Sequence, residues 1–166
     1  MKKRAPAPRT RKSKILSPQA LARVLAHARK NGQRVVYTNG CYDILHTGHV
    51  TLLENARRLG DVLVVALNAD ASVRRLKGPS RPINGLKDRL QVMAAVESVD
   101  YVTWFTEDTP LKSILKLHPD VLVKGGDWKI PQIIGAREVL DWGGKVYSLK
   151  LVPGRSTTRI IEKSRE

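Results

Sequence analysis

Residues 35–53 read Val35-Val36-Tyr37-Thr38-Asn39-Gly40-Cys41-Tyr42-Asp43-Ile44-Leu45-His46-Thr47-Gly48-His49-Val50-Thr51-Leu52-Leu53, and the pattern changes part-way along. The apolar run Val35 to Tyr37 suits a buried strand, whereas Val50, Leu52, Leu53 and Ala56 gather on one side of a helix. A strand therefore runs through a glycine-containing turn into a helix, and two imidazoles, His46 and His49, stand at the junction. A helix start presents free backbone N–H groups and the positive end of the peptide dipoles, so this junction suits a phosphate.

The same alternation continues in both directions. Ser17-Pro18, followed by Leu21, Val24, Leu25 and Ala28, predicts an N-capped helix closing near Asn31-Gly32. Strands are expected at 34–38, 62–67, 101–105, 121–123 and 146–149, the second as a nearly continuous apolar run. Helices are expected at 48–59, 71–76, 86–96, 110–117 and 134–142, and from Ser156 to the end. Glycine and proline make 77–85 a loop. Alternating strands and helices with short connections predict an α/β fold, a five-stranded parallel sheet with helices on both faces. Ligands of such sheets bind beyond the carboxyl ends of the strands, at a topological switch point.

The chain has 166 residues, enough for one domain with a sizeable core. Its formal charge of +15 is unevenly spread: Lys2, Lys3, Arg4, Arg9, Arg11, Lys12 and Lys14 crowd the start without an acid among them. With Pro6 and Pro8 and no periodicity, residues 1–14 read as a disordered basic tail, and 15–166 as a single domain. The tail has no apolar core of a secretory signal, and no run is long enough to span a membrane. A single cysteine, Cys41, excludes an intrachain disulfide and suits a reducing compartment, so the cytoplasm is the expected location.

At the carboxyl end of the first strand, Gly40 is expected to let backbone approach a ligand, and Gly48 to leave room for one against the helix. His46 and His49, three apart, share one side of the first helical turn and are suited to stabilising charge on phosphoryl oxygens. Two histidines and one cysteine fall short of a closed zinc site, so no metal ligation is assigned to them. Cys41 lacks an evident base and reads as packing. Trp104, Trp128 and Trp142 read as core or pocket walls.

Asp43-Ile44-Leu45-His46-Thr47-Gly48-His49 resembles the His-x-Gly-His signature of the cytidylyltransferase-like nucleotidyltransferase superfamily. Further stretches resemble its heptose 1-phosphate adenylyltransferase branch: Leu67 to Ser72, Arg75 to Pro82, Lys124-Gly125-Gly126-Asp127-Trp128, and Ser156-Thr157-Thr158. The likeness covers about residues 33–163 and implies a Rossmann-like nucleotidyltransferase fold. It implies transfer of AMP from ATP, with Mg2+, to D-glycero-β-D-manno-heptose 1-phosphate, releasing pyrophosphate. His46, His49 and Lys77 would be catalytic. Thr38, Asn39, Gly40, Gly48, Lys124, Gly125, Asp127, Ser156, Thr157 and Thr158 would join the two histidines in binding the nucleotide. Asp43, Asn68 and Arg89 are candidates for the sugar phosphate, and Arg155 and Arg159 are assigned no role. A homodimer and a separate heptose kinase are the expected partners, with neither membrane nor nucleic acid. A CTP-dependent enzyme acting on glycerol 3-phosphate or a similar acceptor is the nearest alternative, and a basic nucleic-acid-binding module is the alternative of another class.

Overall fold

The computed structural model describes residues 10–165. The strands are β1 (Val35–Gly40), β2 (Val62–Asn68), β3 (Tyr101–Phe105), β4 (Val121–Gly125) and β5 (Lys145–Leu149). The helices are α1 (Arg11–Lys14), α2 (Pro18–Lys30), α3 (Thr47–Arg57), α4 (Asp70–Lys77), α5 (Leu86–Ala94), α6 (Leu111–Leu117), α7 (Ala136–Asp141) and α8 (Thr157–Lys163). A 3-10 turn, Ile130–Gln132, precedes α7.

All strand pairs are parallel, in the order β3-β2-β1-β4-β5. Alternation along β1 and β2 divides their side chains between two cores. Val35, Tyr37, Val62 and Val64 meet Leu21 and Leu25 of α2 and Ile114 and Leu117 of α6. Val36, Leu63, Val65 and Leu67 meet Leu52 and Leu53 of α3 and Leu90 and Met93 of α5. A strand buried on both faces has to be apolar throughout, which is why β2 shows no polar alternation.

Carboxylates fix the amino ends of the central strands. Asp61 accepts from the Arg34 amide at 2.7 Å, Asp100 from Leu63 at 2.8 Å and Asp120 from Val35 at 2.7 Å. Ser17 caps α2 by accepting from the Ala20 amide at 3.2 Å, with Pro18 in the first turn.

The elements lie where the sequence patterns put them, with shifts at the ends. β1 continues to Gly40 because its ladder with β2 runs on through Asn39–Ala66 and Gly40–Leu67. Lys77 is the last residue of α4, not the first of a loop, and Gly78 ends the helix at φ +96°. α7 starts at Ala136 rather than 134, since Gly135 sits at φ +86° and cannot continue a right-handed helix. Of the stretch expected to lack structure, residues 1–9 lie outside the described residues. Residues 11–14 form a helical turn, where the Lys14 ammonium donates to the Val96 carbonyl at 3.2 Å and the Leu16 amide to Val102 at 3.0 Å.

β1 lies between β2 and β4, so the chain departs from it in opposite directions along the sheet. That is the switch point, and its crevice opens at the carboxyl ends of β1 and β4.

Candidate active site

A cavity of about 590 Å3 occupies that crevice. Its walls bring together Asn39 and Gly40 at the end of β1, Cys41 and Asp43 after it, His46, Gly48 and His49 at the head of α3, Asn68 at the end of β2, and Lys77 at the end of α4. Lys124 and Trp128 close it from the β4 side, and Arg155, Ser156, Thr157 and Thr158 from the start of α8.

His46 occupies the cap position of α3 without making the usual side-chain cap bond. Its ring instead stacks on His49, with centres 3.8 Å apart and planes at 21°, while Tyr42 meets His49 edge-on at 5.0 Å. A Cβ at Gly48 would lie 3.0 Å from the His46 ring and 3.4 Å from the Arg155 Cβ. The absence of a side chain at Gly48 is what lets the His46 ring lie over the helix, and Gly48 itself still lines the cavity. Both Nδ1 atoms are buried without a hydrogen-bond partner among the described residues.

Burial, and then the neighbouring His46, pushes the His49 imidazole down to about 4. His46 is also held below its ordinary value, by burial and by the Arg155 guanidinium. Near neutral pH both rings are uncharged, and each has one N–H to donate. Burial likewise pulls the Lys124 ammonium below the usual lysine value, with Lys77 acting in the same direction. Neither lysine, nor Arg155, pairs with a carboxylate among the described residues.

Several residues that the sequence suggests as ligand contacts are engaged by the protein. Asp43, 3% exposed, accepts from Arg81 Nε at 2.6 Å and from the amides of Ile83 and Asn84 at 2.8 Å each. Burial alone would raise its pKa, but the two amides and Arg81 together hold it below the carboxylate range. It pins the segment 81–84 over the cavity.

Arg89 is neither a surface charge nor a cavity wall. It is 2% exposed and donates to the carbonyls of Asn84 (2.9 Å), Cys41 (2.7 Å) and Asn68 (2.8 Å) and to the Asp70 carboxylate (2.7 Å). One guanidinium thereby ties the ends of β1 and β2 to the same segment. The Asn68 side-chain amide is on the cavity wall and donates to Ser72 Oγ at 2.9 Å.

Two of the three α8 hydroxyls are also committed. Ser156 Oγ caps the helix by accepting from the Arg159 amide at 3.1 Å, and the Thr157 hydroxyl donates to the Ile44 carbonyl at 3.0 Å. The latter bond fastens α8 to the loop that carries the histidines. Thr38 is buried beneath the cavity, Asp127 is exposed outside its wall, and a Cβ at Gly125 would strike Leu52 at 2.8 Å and Leu151 at 2.9 Å. A Cβ at Gly40 would likewise lie 3.0 Å from the Tyr42 ring, and this glycine lines the cavity beside it.

Three residues that line the cavity, Arg81, Arg155 and Asp108, are not marked as wall residues by the sequence. Arg155 is visible as the residue before Ser-Thr-Thr, but its approach to His46 depends on how α8 docks. Trp128, expected in the core or a pocket wall, is a wall, and its indole N–H donates to the Gly125 carbonyl at 3.2 Å. Burial raises the Cys41 thiol above its ordinary value, so it is a poor nucleophile.

A parallel sheet with a phosphate-suited helix start and paired histidines at its switch point defines a nucleotide-handling α/β protein of the nucleotidyltransferase class. The cytidylyltransferase-like family model matches residues 37–163, and the chain belongs to that family. Over 150 residues it is 55% identical to the bifunctional protein HldE of Marinomonas sp., a match covering 90% of this chain and 32% of the relative. The HldE of Haemophilus influenzae is 53% identical over 149 residues, covering 90% and 31%. The chain thus spans about a third of the length of these curated relatives. Among solved structures, a lipopolysaccharide core biosynthesis protein from Thermoplasma volcanium superposes with a TM-score of 0.60 at 29% identity, covering 73% of this chain and 98% of that one. A pantoate-beta-alanine ligase from Francisella tularensis has the same TM-score at 16% identity, covering 91% and 76%, and shares the fold. No helix among the described residues is long and apolar enough to cross a membrane.

Proposed function

We propose that the chain transfers AMP from ATP to D-glycero-β-D-manno-heptose 1-phosphate, giving ADP-heptose and pyrophosphate. The observation that carries this reading is the stacked, uncharged His46–His49 pair, facing a cavity whose cations Lys77, Lys124 and Arg155 have no acidic partner among the described residues. The HldE relatives and the lipopolysaccharide core biosynthesis neighbour support the acceptor.

An acceptor phosphate oxygen attacks the α-phosphorus in line. The new P–O bond forms as the bond to the β-phosphate oxygen breaks, and pyrophosphate leaves with that electron pair. Negative charge then accumulates on the α-phosphoryl and leaving oxygens, where imidazole N–H donors lower the barrier without covalent chemistry. Lys77 and Lys124 hold the phosphates, and Thr158 with the free amides at the start of α8 steadies the leaving end. Asn39 and Gly48 complete the nucleotide wall, and Asn68 contacts the sugar. Asp43 and Arg89 act on the acceptor side by holding the segment 81–84 in place.

Both cavity carboxylates are occupied, Asp43 as described and Asp108 by Arg75, and the described residues contain no cluster of acids, histidines or cysteines suited to a metal. Mg2+ is read as the triphosphate's partner and so as part of the substrate. The acceptor phosphate comes from a sugar kinase, the enzyme works as a homodimer, and it acts in the cytoplasm.

The test is pyrophosphate release from the purified chain with ATP or CTP, each with heptose 1-phosphate or glycerol 3-phosphate. Turnover with ATP and heptose 1-phosphate is expected. Turnover with CTP and glycerol 3-phosphate alone would replace this reading with the cytidylyltransferase one.

A further inference from the structure

Between the end of β4 and residues 130–134, a side cavity of about 90 Å3 opens off the main one. The two share Asn39, Pro110, Lys124, Trp128 and Ile134 at the mouth. Beyond the mouth, Leu122, Gln132 and Ile133 enclose it.

Leu122 and Ile133 are buried and make the inner wall apolar. Polar groups reach the cavity from only a few directions. Gln132 Oε1 accepts from the Lys129 amide at 3.3 Å, which leaves the Gln132 NH2 group unbonded among the described residues. The Lys124 ammonium lies 5.8 Å from the centre of the Trp128 ring and pairs with no described carboxylate. The site therefore supplies donors around an apolar slot, and its occupant brings oxygen acceptors on a short carbon chain.

Size narrows the occupant further. The slot is less than a sixth of the main cavity's roughly 590 Å3, so it takes one arm of a substrate seated in the main cavity and not a whole substrate. We infer that this slot receives the glycol arm of the acceptor, the C6–C7 end that makes the sugar a heptose and not a hexose. Gln132 donates to its hydroxyl oxygens, and Leu122, Ile133 and Ile134 wall its carbons. This assignment rests on the heptose 1-phosphate reading above and adds the residues that measure the sugar's length.

The experiment compares kcat/KM, with ATP, for D-glycero-β-D-manno-heptose 1-phosphate and β-D-mannose 1-phosphate, which has the same ring and a shorter arm. Gln132, exposed and outside the main cavity wall, is replaced in Gln132→Phe to fill the slot. In the wild type the heptose is expected to be favoured at least tenfold, the scale on which a built site rejects a substrate lacking a chain carbon and hydroxyl. In Gln132→Phe that ratio is expected to fall at least fivefold, mainly through the KM for heptose 1-phosphate. Equal use of both sugars by the wild type overturns the assignment while leaving the adenylyltransferase reading intact, as does an undiminished ratio in folded Gln132→Phe. No ADP-heptose from the wild type overturns the functional reading itself. If circular dichroism shows Gln132→Phe unfolded, Gln132→Leu, which keeps the volume and removes the amide donor, is judged by the same ratio.

Discussion

At the scale of single residues, the histidine pair behaves as a matched unit whose charge state follows from its surroundings. His49 titrates near 4 because burial and the stacked His46 disfavour its charged form. In the unfolded chain the same ring titrates near its ordinary value of 6.5. Between those values the unfolded state binds the proton and the folded state does not. Stability is therefore unaffected by this ring above about pH 6.5, declines as the pH drops through the window, and has lost the full contribution below about 4. The urea midpoint of the wild type is expected to fall more steeply across this window than that of His49→Asn. Triphosphate binding reverses the preference, since its negative charge favours imidazolium. The His49 C2–H resonance in proton NMR is accordingly expected to titrate higher with ATP bound than without it, and an unchanged midpoint would remove the phosphate from its vicinity. For catalysis, His49→Ala is expected to lower kcat by about 10²–10³ with an unchanged circular dichroism spectrum, the scale of one lost donor to a charged transition state. Wild-type turnover in that variant would take His49 out of the mechanism.

At the scale of elements, the site is a set of loops held together by two buried side chains that nothing in the sequence marks as structural. Asp43 fastens the segment 81–84, and Arg89 ties the same segment to the ends of β1 and β2. Removing the Arg89 guanidinium leaves three carbonyls and Asp70 without their donor. Arg89→Met is expected to cost about 3–5 kcal/mol in urea denaturation, since each buried carbonyl left without its donor costs about 1–3 kcal/mol. Asp43→Ala acts more locally, and hydrogen exchange at the Ile83 and Asn84 amides is expected to accelerate while that of β2 stays slow. Equal acceleration in β2 would mean that Asp43 supports the whole fold and not this segment. The strands and helices are legible in the sequence because period-2 and period-3.6 patterns are properties of neighbouring residues. The meaning of Gly40, Gly48 and Gly125 is not. Local sequence suggests backbone approach to a ligand at Gly40 and Gly125 and space at Gly48, but not the protein side chains that an added Cβ would meet, Tyr42, His46 or the pair Leu52 and Leu151, brought there by tertiary packing, although Gly40 and Gly48 also line the cavity. Arg89 is illegible for the same reason, since nothing in its local sequence says that three chain ends converge on it. The His-x-Gly-His run and Lys77 can be found because that chemistry is local, or lies one element away.

At the scale of the whole molecule, the formal charge of +15 matters through its placement. Lys77, Lys124 and Arg155 face one crevice without carboxylate partners among the described residues, whereas the cavity's own acids, Asp43 and Asp108, are neutralised by Arg81 and Arg75. The crevice walls are protein of low dielectric constant, so the field of these cations is focused towards the mouth. Trp128 lines that same mouth. An incoming polyphosphate is drawn in by this field before it makes any contact. Salt weakens the attraction, because the screening length shrinks from about 30 Å at 0.01 M to about 8 Å at 0.15 M. Once the nucleotide is seated, its phosphates lie against the cations at short range in a partly desolvated site, where screening is slight. The second-order constant kcat/KM for ATP is therefore expected to fall by about tenfold across that salt range, while kcat changes by less than twofold. Replacing Lys124 by Met should flatten the salt dependence of kcat/KM. If kcat falls in parallel with kcat/KM in the wild type, salt is acting on the chemical step, and the crevice charges stabilise the transition state more than they gather the substrate.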